Sequence, residues 1–243
     1  TLSDFNEKPV TKDGKINKII NGATDWVYEE EFSIHKGFEW SPDGKKLAYY
    51  VFDETDVKEF QMKMYGSLYP THYKFKYPKA GEDNSLISIR IFDTQYDRHF
   101  VFDVGNNPDI YIPRIMWSKR RDELIVFKMN RLQNKLELLS GTFSMDTPNN
   151  IGIRTKPIYA EKCTTYIDIH DNTSFINENE FIWTSEKDGY NHIYLINYAN
   201  GTEKQLTSGD WDVTEVYGYT SQSKKIFFQA AKSHPTKREI YAL

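Results

Sequence analysis

The sequence predicts an all-β protein, a β-propeller of four-stranded antiparallel blades that supplies about four blades of a larger ring. Three observations predict it. One unit recurs: an aromatic or apolar residue, a short polar turn, then an alternating apolar strand. A second hairpin-like pair follows each copy. Tyr and Phe number 17 and 15 among 243 residues, and aromatic residues favour pleated, half-buried strands.

The first copy is Trp40-Ser41-Pro42-Asp43-Gly44-Lys45-Lys46-Leu47-Ala48-Tyr49-Tyr50. Pro early in the turn and Asp-Gly after it demand a tight reversal between two strands. The second runs from Met116-Trp117-Ser118 through Lys119 to Glu123 into Leu124-Ile125-Val126-Phe127, with the same Trp-Ser opening. The third runs from Phe175 through Asn177-Glu178-Asn179-Glu180 to Phe181-Ile182-Trp183, and the fourth from Tyr217-Gly218-Tyr219 to Ile226-Phe227-Phe228. Leu47, Leu124, Phe181 and Ile226 are then equivalent, at spacings of 77, 57 and 45 by subtraction. Only the last is near the roughly 40 to 50 residues of a blade. The long first gap is read as a loop insertion over about 56–84, which breaks the strand pattern and carries Tyr69-Pro70 and Tyr77-Pro78. Thr55 to Tyr65 could form a short helix within it.

Of the second pairs, the clearest are His192–Asn197 with Glu203–Thr207 across Asn200-Gly201, the strongest short hairpin signal, and Ser88–Asp93 with His99–Asp103. Gly14 to Ile20 is a remnant of an earlier strand, and Glu239–Leu243 a last strand with no partner of its own. A propeller must close its ring, so a chain that starts and stops mid-pattern is expected to be part of a longer domain. The whole span 1–243 is taken as that partial domain.

Composition excludes several functions. The net charge is −4 with basic and acidic residues interspersed, so no basic stripe for nucleic acid is present. Cys163 is alone, which removes internal disulfides and cysteine-rich zinc sites and leaves the compartment open. The longest apolar runs are too short to cross a bilayer, and association with a membrane stays undetermined. The six histidines lack the helical pairing with glutamate of a zinc hydrolase and are taken as surface or strand residues. Asp168, His170 and Asp171 form a local cluster placed in a blade loop. Asn172-Thr173-Ser174 and Asn200-Gly201-Thr202 match a glycosylation acceptor pattern and are given no weight. No metal site and no cofactor are expected. No Gly-x-Ser-x-Gly nucleophile elbow occurs, so no catalytic residue is assigned to the chain itself.

The segment Asn21-Gly22-Ala23-Thr24-Asp25-Trp26-Val27-Tyr28-Glu29-Glu30-Glu31-Phe32 resembles the acidic motif of the dipeptidyl peptidase IV family, within the prolyl oligopeptidase clan. Supporting stretches in family order are Trp40–Gly44, Tyr77–Gly81, Arg131-Leu132-Gln133-Asn134, Ser185–Tyr194 and Leu206–Val213. The resemblance implies an eight-bladed propeller packed on an α/β-hydrolase domain, which would be this chain's partner in the full-length protein. It also implies cleavage of Xaa-Pro and Xaa-Ala dipeptides from peptides with a free N-terminus, a homodimer, and a periplasmic or extracellular location. Glu30 and Glu31 correspond to the amine-binding acids, and Tyr166 to a contact in the substrate pocket. An assisting arginine of the family falls outside the sequence.

The glutamates also make chemical sense on their own. A peptide's α-amine, with a pKa of about 7.7 to 8.0, is mostly cationic at neutral pH, whereas internal amides carry no charge. Two carboxylates can therefore tell a terminus from an interior through charge-assisted hydrogen bonds. Neighbouring carboxylates raise each other's pKa, and a bound ammonium relieves that repulsion. By composition alone, Glu29-Glu30-Glu31 is a solvated face; the resemblance of its flanks to the family motif implies that Glu30 and Glu31 are amine ligands. The alternatives are a non-enzymatic propeller that binds a protein on its top face, and the propeller of a related tripeptidyl or acylaminoacyl peptidase.

Overall fold

The structure, a computed structural model, describes residues 6–119, 123–147 and 150–243. The first five residues and residues 120–122 of the second turn therefore lie outside the described residues. The chain is built mainly of antiparallel strands, as predicted, and the described residues hold one short helix, at Trp26–Phe32. Its elements are β1 (Ile19–Asn21), α1 (Trp26–Phe32), β2 (Phe38–Trp40), β3 (Lys46–Asp53), β4 (Glu59–Met64), β5 (Thr71–Lys76), β6 (Leu86–Asp93), β7 (Arg98–Phe102), β8 (Ile110–Trp117) and β9 (Glu123–Asn130), followed by β10 (Lys135–Thr147), β11 (Asn150–Lys162), β12 (Ser174–Phe175), β13 (Glu180–Ser185), β14 (His192–Asn197), β15 (Glu203–Gln205), β16 (Val213–Thr220), β17 (Lys225–Ala230) and β18 (Glu239–Ala242).

Four sheets succeed one another along the sequence as up-and-down meanders, the blade pattern. Their strand orders are β1-β3-β6-β7 with β2 also on β3, then β11-β10-β9-β8, β12-β13-β14-β15 and β16-β17-β18. The fourth has three strands. The predicted hairpins appear at β2–β3, β6–β7, β12–β13, β14–β15 and β16–β17. The Ser-Pro-Asp-Gly turn closes as its chemistry requires. Ser41 Oγ donates to Asp43 Oδ1 at 2.7 Å and accepts from Lys46 N at 2.9 Å, and Gly44 takes φ 70°.

Three expectations are corrected. The region 56–84 is a β-hairpin, a separate two-stranded sheet of β4 and β5 paired from Glu59↔Lys76 to Met64↔Thr71. For the same reason, Thr55–Tyr65 contains a strand in place of a short helix: Phe60, Met62 and Met64 alternate with polar residues at the strand period. The last strand does have a partner, since β18 pairs with β17 from Phe227↔Ala242 to Ala230↔Glu239.

The first sheet carries the acidic segment. β3 is buried along nearly its whole length, and two short strands share one of its sides. Its first half pairs with β2, Phe38↔Tyr49 to Trp40↔Leu47, and its second half with β1, Ile19↔Asp53 to Asn21↔Val51. Between β1 and β2 the chain leaves the sheet, forms α1 and returns. The neck of this excursion is a pair of glycines: Gly37 N donates to Gly22 O at 3.2 Å, Gly22 N to Tyr50 O at 2.9 Å and Tyr50 N to Gly37 O at 2.9 Å. A Cβ on Gly37 would stand 2.6 Å from Ala23 O, so only glycine fits.

The chain divides into two compact units, residues 1–115 with 144–153, and 116–143 with 154–243. In the first, Tyr49, Val51 and Phe92 form a cluster with Val10, Ile19, Phe38 and Leu47. In the second, Ile182 and Ile193 of one sheet pack with Val213, Ile226, Phe228 and Ala230 of the next, the face-to-face burial that lets neighbouring blades share a core.

Candidate functional site

The acidic triplet lies on α1, a helix of 7 residues that is too short to be stable alone. Its place is fixed from both ends and from beneath. At the start, Asp25 is the N-cap: Oδ1 accepts from Tyr28 N at 3.0 Å, and Oδ2 from Ser85 Oγ at 2.7 Å, tying the helix to the approach to β6. Asp25 is buried, and burial raises its pKa, with Ser85 and the Tyr28 amide opposing. Glu54 is also buried and is raised by burial first and then by the nearby charge of Asp25.

Beneath the helix, Tyr28 and Phe32 are the inward i, i+4 pair. Tyr28 packs against Phe52 at 4.8 Å, Phe32 at 5.1 Å and Tyr111 at 6.1 Å between ring centroids. Its hydroxyl accepts from Ile112 N at 2.8 Å, and burial pushes the phenol well above its ordinary pKa. At the far end, Ser33 adopts the left-handed conformation, Ile34 N donates to Tyr28 O at 3.1 Å, and Thr24 Oγ1 donates to Ile34 O at 2.7 Å, joining the two legs of the excursion. Arg114 Nη1 donates to Phe32 O at 2.8 Å, placing a cation at the end of the helix where the dipole is negative.

With Tyr28 and Phe32 turned inward, Glu29, Glu30 and Glu31 face outward and are exposed. Glu29 Oε1 lies 3.7 Å from His35 Nδ1. Glu30 and Glu31 carry no hydrogen bond or ion pair among the described residues. Two acids thus occupy the end of a helix that favours cations, on a rigid mount, with their oxygens available to an external donor.

Tyr166 belongs to the second unit and is 53% exposed. It stands in the strand-free segment 163–173, which also holds Asp168, His170 and Asp171, as predicted. This loop is hooked over the β9–β10 turn by Cys163 N to Asn134 O at 3.0 Å and Ile167 N to Gln133 O at 2.8 Å. It lines a cavity of about 320 Å³ with Glu161, Ser185, Glu186 and Lys187. The wall of the cavity is fixed by Glu161, which accepts from Trp183 Nε1 at 2.8 Å and Ser185 Oγ at 2.5 Å. Glu186 is raised by burial and by the charges of Asp168, Asp212 and Glu161. Asn172, in one of the two acceptor-pattern matches, spends its amide inside the unit: Nδ2 donates to Thr184 Oγ1 at 3.2 Å, and Oδ1 accepts from Val216 N at 2.9 Å.

Among the described residues no group of three or more His, Cys, Asp or Glu could hold a metal ion. The sequence reading missed the residues that hold the triplet in place, Asp25, Tyr28, Gly37, Ser85 and Arg114. Asp25 three residues before Tyr28, with acids and an apolar i, i+4 pair following, is a legible helix start. The other contacts are tertiary and leave no local signal.

A family model described as the dipeptidyl peptidase IV (DPP IV) N-terminal region matches residues 1–243. The prolyl endopeptidase FAP of Bos taurus is 31% identical over 251 residues, covering 96% of this chain and 32% of that protein. The dipeptidyl peptidase 4 of Trichophyton tonsurans is 28% identical over 250 residues, covering 97% and 31%. Among solved structures, the Porphyromonas gingivalis dipeptidyl peptidase 4 superposes with a TM-score of 0.86 at 39% identity, over 96% of this chain and 32% of that one. The chain spans about a third of the length of these relatives.

Proposed function

The chain belongs to the family of dipeptidyl peptidase IV N-terminal regions, and from that premise we propose that it is the substrate-gating, amine-binding propeller portion of a serine-type dipeptidyl peptidase. The parent removes Xaa-Pro and Xaa-Ala dipeptides from peptide N-termini. Glu30 and Glu31 receive the substrate's ammonium group, and Tyr166 contacts the peptide further along. The nucleophile belongs to an α/β-hydrolase domain of the full-length protein, which works as a homodimer in the periplasm or outside the cell.

The observation that carries this reading is a pair of adjacent, unpaired carboxylates on a helix whose orientation is fixed by its cap, its buried tyrosine and its glycine neck. A fixed anchor for the amine sets a fixed distance to the scissile bond, so the length of the product follows from geometry. Each charge-assisted hydrogen bond to the ammonium is worth about 1.5 to 3 kcal/mol.

The test is substitution in the full-length protein. Glu30→Gln and Glu31→Gln keep size and lose charge, and each should raise KM for Gly-Pro-p-nitroanilide by roughly tenfold or more while the fold is retained. The isolated 243-residue chain should not turn the same substrate over. KM values within about twofold of wild type for both variants, or turnover by the isolated chain, would refute the assignment.

A further inference from the structure

Helix α1 and the β4–β5 hairpin are each marginal alone, one by its length and the other as an isolated two-stranded ribbon. Trp26 joins them. Trp26 stacks on Phe75 with centroids 5.1 Å apart and planes at 27°, and meets Tyr77 edge-on at 5.5 Å. Behind them Phe60 packs against both Phe75, at 5.7 Å, and Tyr77, at 5.6 Å. The root of the hairpin is tied down by Lys76 Nζ, which donates to Thr55 O at 3.0 Å and Val57 O at 2.6 Å, and by Tyr77 N to Lys58 O at 3.0 Å. The aromatic box is therefore a firm wall for the indole to lean on.

The core does not need Trp26. It is 41% exposed, and the inward face of α1 is already filled by Tyr28 and Phe32. What Trp26 adds is a contact at a different angle around the helix. The bonds from Ile112 and Arg114 hold the inward side and the C-terminal end of α1, and the Trp26 contact adds a hold on another side of the helix. Trp26 and Glu30 are four residues apart and share one ridge. Helical side chains lean toward the N-terminus, so Glu30 lies over the turn that Trp26 anchors.

We propose that Trp26 is a positioning residue for amine recognition: clamped by Phe75 and Tyr77, it fixes the roll of α1 and with it the direction of the Glu30 carboxylate. The inference rests on the reading of Glu30 and Glu31 as amine ligands. It makes the affinity of the site depend on a hairpin that never touches substrate.

The experiment uses the full-length protein with Gly-Pro-p-nitroanilide and the variants Trp26→Ala, Trp26→Phe, Phe75→Ala and the Trp26→Ala/Phe75→Ala double. Trp26→Ala and Phe75→Ala should each raise KM roughly three- to tenfold, the scale of one or two lost aromatic pairs, with kcat within about twofold. The double variant should exceed the larger single effect by no more than about twofold, because both break one contact. Trp26→Phe should recover most of the loss. The rate at which a fluorophosphonate labels the active serine should not change, which separates misplacement of the amine from damage to the catalytic domain. Wild-type KM in Trp26→Ala, additive effects in the double, or slowed labelling in Trp26→Ala would each overturn the proposal. If Glu30→Gln raises KM and Trp26→Ala does not, this inference alone falls; if Glu30→Gln is silent, the amine-anchor reading falls with it.

Discussion

Gly37→Ala tests the mount of the acidic helix most directly. The added methyl would meet three backbone atoms of Ala23: O at 2.6 Å, C at 3.0 Å and N at 3.0 Å. No flexible side chain is there to yield, so the neck must open. Opening it strains the Gly37-to-Gly22 bond and the two bonds to Tyr50. Overpacking of this kind costs about 1 to 3 kcal/mol, and each hydrogen bond lost adds about 1 kcal/mol. A local destabilisation near ~2 kcal/mol makes opening of the excursion roughly 30-fold more frequent. Hydrogen–deuterium exchange of peptides covering 23–36 in the full-length protein reads this directly, and those amides should exchange roughly 30-fold faster while β13 and β14 are unchanged. Gly66→Ala serves as the control, because nothing lies within 4 Å of its Cβ position. Equal exchange in Gly37→Ala and wild type would show that the glycine neck does not hold the helix.

Three further outcomes are expected. Asp25 and Glu54 are both raised above the ordinary carboxylate range, chiefly by burial, so the folded state holds their protons more tightly than the unfolded chain. Their contribution to stability is fully present below the ordinary carboxylate values and is lost as pH rises through the raised ones. Asp25→Asn, which can still cap, should flatten that acid-side dependence of the melting temperature, whereas Asp25→Ala should lose about 1 kcal/mol through the cap; an unchanged pH profile in Asp25→Asn would contradict this. Tyr28→Phe keeps the ring and removes the acceptor of the Ile112 amide, and should cost about 1 to 3 kcal/mol in denaturant titration, with faster exchange at Ile112. In the second unit, Glu161→Ala strands the indole N–H of buried Trp183 and should destabilise by a similar ~1 to 3 kcal/mol. Exchange should quicken in the Tyr166 loop and stay unchanged across α1.

The blades were legible where turn chemistry and alternation agreed. Trp40 to Tyr50 reads as a hairpin because Pro42, Asp43 and Gly44 leave few other conformations, and His192 to Gln205 because Asn200-Gly201 marks the reversal. The β4–β5 hairpin was not legible. Its strands read EFQMKM and THYKFK, are mostly exposed, and are recognised only when Phe75 finds Trp26. The candidate acids were legible through resemblance, since a run of three glutamates is by composition a solvated face. Of their support only the Asp25 cap leaves a local signal: the approach of Ala23 to Gly37 closes a loop whose two legs carry no turn pattern, and the Arg114 contact with Phe32 joins residues far apart in the sequence.

Because β1 and β2 sit on the same side of β3, the rungs opposite Val51 and Tyr49 are occupied by Asn21 and Phe38 whatever lies between them. The excursion thus hangs from the ladder at its two glycines and is rooted by Asp25, Tyr28 and Phe32, so the outward positions 29–31 can be rewritten while the register of the blade is held by β1 and β2. Outward side chains can be exchanged there while the scaffold keeps its own hydrogen-bond ladder, which makes those positions the natural place to graft a different surface chemistry.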